Sequence, residues 1–319
     1  MNEILSQLQS EPALAWKVAV TLLGADPASA AAKEASRTVR GSPLVTALLA
    51  GRARTGRAYR KRSGSHWVLS VLADLGCPPG DESLRPLMEE TFGCWLSEGH
   101  TKKHLRVLEG RVRRCASQEG YAVWCSLRLG FAEDRTDELV NRLLKWQWPD
   151  GGWNCDKNPE ADTSSFHETL IPLRALALYA QASGDAKVRQ AAERAAEVFL
   201  RRKMFRRLRD GQVMNENFLL LHYPAYWHYD LLAGLKVMAE AGFISDPRCK
   251  EALDLLESKR LPEGGFPAEE SFSRTTKPEL SGYTPVDWGR KSVKKMNPFV
   301  TADALYVLHA AGRIKSLSE

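Results

Sequence analysis

The chain has 319 residues, 44% of them hydrophobic and 26% charged, and carries a net charge of +6. That balance supports a large core and excludes a disordered or collagen-like chain, and no apolar run reaches the ~18 residues of a membrane span. The charge is modest and no nucleic-acid motif with interleaved aromatics is present, so no nucleic-acid partner is expected.

Helical periodicity dominates in chain order, and no stretch alternates as a half-buried strand must. Residues 11–23 read as an amphipathic helix interrupted by Lys17, which argues against a signal peptide. A more polar, one-faced helix follows over 27–50, with Asp26 as N-cap and Pro27 at its first position. The same alternation then repeats. Segments 65–75, 119–129, 165–182, 225–241 and 298–311 are apolar on more than one face. Segments 84–96, 137–146, 187–205 and 248–259 are one-faced. The apolar segments stop at Gly24, Gly76, Gly130, Gly184, Gly242 and Gly312, as helix C-termini prefer. Residues 267–296 are rich in Ser, Thr, Pro and Gly and too long for a passive connection, so they read as a lid or binding loop.

A short pattern recurs between these helices. Gln147/Gly151/Trp153 is its clearest copy, and Arg52/Gly56/Ala58, Arg106/Gly110/Val112, Arg207/Gly211/Val213 and Arg260/Gly264/Phe266 share its spacing. A repeat of this period implies stacked units that cannot bury their apolar faces alone. The Arg or Gln is expected to donate to open carbonyls at the preceding helix end, and the residue two beyond the glycine to pack inward. Helices apolar all round need cover on every side. The expected fold is therefore all-α: one domain over 1–319, a single α/α toroid of alternating inner and outer helices.

The run Trp146-Gln147-Trp148-Pro149-Asp150-Gly151-Gly152-Trp153-Asn154-Cys155-Asp156-Lys157, with Ser164-Ser165-Phe166-His167-Glu168-Thr169-Leu170, resembles the repeat of triterpene cyclases and protein prenyltransferase β subunits. It looks most like bacterial squalene-cyclase-repeat proteins. The resemblance implies an apolar central cavity and an isoprenoid or similarly apolar substrate, worked on by cyclisation, isomerisation or prenyl transfer. The Asp-x-Asp-Asp motif of class II cyclases is absent.

In such a ring the inner helices start at one rim, where His66, His167 and His228 would gather. Asp156, His167, Glu168, His228 and Asp230 are the candidate catalytic residues, as carboxylates and histidines whose pKa values burial and pairing could set apart. His66, Trp67, Tyr121, Trp227 and Tyr229 are the candidate substrate-binding residues. Prenyltransferases hold zinc with Asp, Cys and His, which makes Cys155, Asp156 and His167 candidate zinc ligands and zinc the one cofactor in view. A zinc-dependent transferase or hydrolase, and a non-catalytic ring that binds lipid or peptide, are the alternatives. Arg111, Arg113 and Arg114 would be the nearest anion site for a diphosphate. Basic runs over 52–62 and 201–209 read as solvated faces, or as a rim for peripheral membrane contact. The six scattered cysteines suit a reduced, cytoplasmic protein.

Overall fold

The computed structural model describes residues 2–52, 58–277 and 282–314. Gly56 of the first repeat copy and residues 278–281 of the long loop lie outside the described residues. Apart from one short hairpin, the regular structure is helical.

After α1 (Asn2–Gln9) the chain makes a 3-10 turn over Pro12–Leu14 and a π-helix over Lys17–Leu22, in place of the predicted α-helix. The predicted helix 27–50 is two, α2 (Ala30–Gly41) and α3 (Pro43–Ala50). Pro43 has no N–H with which to continue α2, and Ser42 caps α3 by accepting from Val45 N at 3.2 Å. Next come α4 (Ser65–Leu75), α5 (Arg85–Leu96) and α6 (Glu98–His104).

The second repeat copy departs from expectation. It forms a hairpin, β1 (Arg106–Leu108) paired antiparallel with β2 (Arg111–Arg113). Glu109 and Gly110 both have positive φ, as a tight two-residue hairpin turn requires. Then follow α7 (Ala116–Arg128), α8 (Asp134–Trp146), α9 (Phe166–Ser183), α10 (Ala186–Leu200), α11 (Leu231–Glu240), α12 (Lys250–Ser258) and α13 (Pro298–Ala310).

Helix α7 packs on α4 and α9, α9 on α11, α11 on α13, and α13 on the π-helix. Helices α5, α8, α10 and α12 each lie on one or two members of that series. Burial follows the sequence pattern. Residues 116–126 of α7 are buried without interruption, whereas α8 buries one stripe: Thr136, Leu139, Val140, Leu143 and Trp146. Trp153 and Phe266, the aromatic ends of two repeat copies, are fully buried. The long polar residues of these copies donate elsewhere than expected. Gln147 Nε2 donates to Gly151 O at 2.7 Å and to Ala191 O of α10 at 2.8 Å, and Arg260 Nε donates to Gly264 O at 3.0 Å. Both copies thus close their own turn, and Gln147 also ties its turn to α10.

Two regions differ more deeply from expectation. The predicted helix 225–241 begins only at Leu231, because Asp230 caps it there through Ala233 N at 2.7 Å. The preceding segment is irregular and reaches α7 and α4: Tyr121 Oη donates to the Tyr226 carbonyl, and Tyr223 Oη donates to Asp74 at 3.1 Å. Trp288 of the long loop is buried against Tyr223 and Phe299. The second difference is charge where the resemblance implies an apolar centre. Asp74 of α4 accepts from Lys17 at 2.7 Å, Lys236 at 2.7 Å and Arg174 at 3.0 Å. Asp303 accepts from the same two lysines at 2.7 and 2.9 Å, and Arg174 also donates to Glu240 at 2.6 Å. Among the described residues no helix is long and apolar enough to cross a membrane.

Candidate functional site

Three segments meet where α7 and α9 begin. Strand β2 leads directly to Cys115, the residue before α7. Arg113 forms a parallel bridge with Asn154, and Arg114 N donates to Asn154 O at 3.2 Å. That pairing brings Cys155 beside Cys115. Helix α9 is fastened to the same loop, since Ser165 N donates to Trp153 O at 2.9 Å and Trp153 N to Thr169 Oγ1 at 3.2 Å. Glu168 is thereby carried to the two thiols.

Cys155 Sγ donates to Glu168 Oε1 at 3.3 Å and is also hydrogen-bonded with Cys115. The other carboxylate oxygen, Oε2, accepts from Ser117 N at 3.0 Å and Ser117 Oγ at 2.8 Å. One donor atom from each of Cys115, Cys155 and Glu168 lies within 4.8 Å of the other two. Over them opens a cleft of about 580 Å³, with Tyr59, Gln118, Arg106, Arg113 and Lys157 in its wall.

Glu168, Cys155 and Tyr59 resist ionising. Burial raises the Glu168 carboxyl above its ordinary range, and the Ser117 and thiol hydrogen bonds only partly offset it. The hydrogen bond with Cys115, then burial, then the Glu168 charge push the Cys155 thiol up. Burial and the nearby Cys115, Glu168 and Cys155 hold the Tyr59 phenol up at about 12, against a hydrogen bond from Gln118. A cation placed among them would reverse that effect, because metal ligands bind in their deprotonated forms. Of the basic trio at this rim, Arg114 is buried in an ion pair with Glu119, while Arg113 and Arg111 lie 4.6 and 5.7 Å from the Trp148 ring.

The structure brings Cys155 and Glu168 into this group but not their sequence neighbours. Asp156 is exposed, and its Oδ1 accepts from Asn158 N at 2.9 Å in a local turn. His167 is directed toward Phe218, at 5.5 Å between rings, and burial followed by His222 lowers its pKa. His228 stacks on Phe272 at 3.8 Å, and burial, then His222 and nearby cations, hold it at about 3. His66 is buried apart from both, accepting from Trp95 Nε1 through Nδ1 at 3.2 Å, with burial lowering it to about 3. His167 and His228 thus share the neighbourhood of His222, whose ring lies 6.1 Å from that of His228, while His66 packs with Tyr59, Trp67, Trp95 and Tyr121 instead. Asp230 pairs with His222 Nδ1 at 2.7 Å in addition to capping α11.

Among the expected pocket walls, Trp67 meets Tyr121 at 5.8 Å and Trp227 at 5.0 Å between rings. Tyr229 is elsewhere, donating to Met204 O at 2.6 Å and packing on Phe166 and Phe218. Tyr59 and His222 carried no signal in the sequence. Cys115 could be placed on a neighbouring rim, yet nothing in its spacing pairs it with Cys155.

No family profile matches the chain, and no curated protein matches it. Among solved structures it is similar to a protein from Actinoplanes at 19% identity and a TM-score of 0.41, over 94% of this chain and 89% of that one.

Proposed function

We propose that the chain is a closed α/α toroid whose helix-start rim is a zinc-dependent transferase or hydrolase centre with Cys115, Cys155 and Glu168 as ligands. Closure is supported by the run of neighbours α4, α7, α9, α11, α13 and the π-helix, from which Lys17 reaches back to Asp74 of α4. The observation that carries the function is the convergence of two thiols and a carboxyl within 4.8 Å. Three protein ligands are the donor number of catalytic zinc, and a site of this kind keeps a fourth position open. Zinc held there would supply Lewis acidity beside the cleft.

The chain's own residues divide the remaining work. Ser117 orients Glu168 by holding Oε2, which leaves Oε1 toward Cys155. Arg106 and Lys157 make the cleft wall positive and so favour an anionic substrate. Tyr59 joins that cleft to the aromatic cluster, lying 5.4 Å from Trp67 between ring centroids. A substrate with an anionic head and an apolar tail, as in prenyl transfer, matches both surfaces. Cyclisation in an apolar centre has less support, because Asp74, Arg174, Lys236 and Asp303 occupy that position.

The test is elemental analysis of protein purified without chelator. About one zinc per chain is expected, lost from Cys155→Ala and Cys115→Ala variants that still fold. Metal-free protein that also fails to take up added zinc would overturn the reading.

A further inference from the structure

Along α7, about ten residues and therefore ~15 Å from the cysteine rim, lies a second, partly open cavity of about 220 Å³. Arg128 ends α7 there, beside Arg174 from the middle of α9, Glu240 at the end of α11, and Lys17 from the π-helix. π-helical turns are rare and are frequently found at functional sites.

The charges in this chamber do not balance. Lys17, Arg174 and Lys236 are taken up by Asp74, Asp303 and Glu240, each cation having at least two carboxylate oxygens as partners. Arg128 is the remaining cation and has no hydrogen bond or ion pair to any described residue. Its guanidinium rests over the Trp16 ring at 4.7 Å. Burial is the main cause of its lowered pKa. Glu240 and Asp74 act on it only through space, so this half-buried guanidinium keeps its hydrogen-bonding edge open, and a carboxylate is the planar acceptor that such a fork matches best.

The walls describe the rest of the ligand. Trp16, Trp124, Leu178 and Tyr306 offer flat apolar surface, with Trp124 held face-on by Arg174 at 3.8 Å. The volume is below the ~300 Å³ at which drug-sized pockets begin, so the occupant is compact. Trp16 and Arg128 also border an outer groove containing Lys33 and Arg37, which gives the approach a positive potential.

We propose that this chamber binds a small monocarboxylate with a flat apolar body, its carboxylate on Arg128 and its body between Trp16, Trp124 and Tyr306. The site is separate from the thiol–carboxyl group and stands or falls independently of zinc.

Benzoate and its neutral isostere benzamide are the probes, titrated by calorimetry into the full-length protein. Benzoate is expected to bind and benzamide to bind about tenfold more weakly or not at all. Arg128→Gln should weaken benzoate by about tenfold or more, with Arg128→Lys between it and the natural protein. Leu178→Trp, which fills the chamber and leaves Arg128 in place, should abolish binding and decides the matter if Arg128→Gln does not fold. Equal binding of the two probes, no benzoate binding by the natural protein, or unchanged binding in folded Arg128→Gln or Leu178→Trp would each overturn the proposal.

Discussion

Asp230 serves His222 and α11 at once: its Oδ2 lies 2.7 Å from His222 Nδ1 and accepts the His222 N–H at 2.9 Å, while Oδ1 caps the helix. Both side chains are buried, at 1% exposure each. The carboxylate therefore joins the irregular segment to the helix that follows it, and its partner is a histidine that no spacing or motif singles out.

This pair makes stability depend on pH in a defined direction. Burial lowers the His222 pKa, but the Asp230 charge and hydrogen bond outweigh it, so the folded value is above the ordinary 6.5. A raised histidine contributes fully below its unfolded pKa and loses that contribution as pH rises through the folded value. His228 and His167, shifted the other way, and Glu270 also face His222. Comparing Asp230→Asn with the natural protein isolates the pair, because asparagine keeps the cap. Melting curves from pH 6 to 9 should show the difference in Tm between the two proteins shrinking as pH rises. A constant difference would refute the assignment.

Asp74 is the anchor of the charged centre, and its removal leaves Lys17, Arg174 and Lys236 short of an acceptor. Breaking a buried pair from one side typically costs about 3–5 kcal/mol. Burial alone would raise the Asp74 pKa, but Lys17, Lys236 and Arg174 hold it well below its ordinary value. A depressed carboxyl stabilises the fold above its unfolded pKa and loses that effect as pH falls below it. Urea titrations should find Asp74→Asn less stable by about 3 kcal/mol or more at pH 7, with the gap closing in acid.

Much of the helical order was legible, and the reasons for the failures are local. Residues 65–75 and 298–311 showed apolar periodicity between a clear start and a glycine, and both are helices, the second ending at Ala310. Ser42-Pro43 was a visible stop inside a long polar helix, overshadowed by the periodicity on either side. The aromatic run Tyr226 to Tyr229 has the composition of a buried helical turn, but its hydrogen bonds go to Tyr121 and Met204. The thiol–carboxyl group was half legible. Glu168 follows from the start of α9, whereas Cys115 meets Cys155 only because β2 bridges Asn154 across a distance no local pattern records. The charged centre had a fainter sign: Lys17, Asp74, Arg174, Lys236 and Asp303 are isolated charges on otherwise apolar segments, and each was readable only as an exception.

Ser117 should matter to metal binding without being a ligand. It donates to Glu168 Oε2 twice, through its backbone and its hydroxyl. Ser117→Ala removes one of these donors and frees the carboxylate to turn. Loss of such an outer partner lowers metal affinity about 10–100-fold. Competition with a zinc-binding dye measures this directly, and an affinity unchanged from the natural protein would place Glu168 outside the metal's ligands.

The repeat glycines are not equivalent, and two alanine substitutions separate their roles. At Gly151 φ is +106°, and a Cβ would lie 2.2 Å from Arg194 O and 2.8 Å from its carbonyl carbon. Backbone strain and a clash with a rigid helix both oppose a side chain there, at about 3 kcal/mol together. Gly110 at the hairpin turn has φ +68°, but a Cβ would meet nothing within 4 Å. Only the conformational cost applies, about 1 kcal/mol. Gly151→Ala should therefore lower Tm well beyond Gly110→Ala. Because Gln147 ties the same turn to Ala191, Gln147→Ala should add little once Gly151→Ala has already forced the turn away from α10. Additive losses in the double variant would show that the turn and its tether act separately.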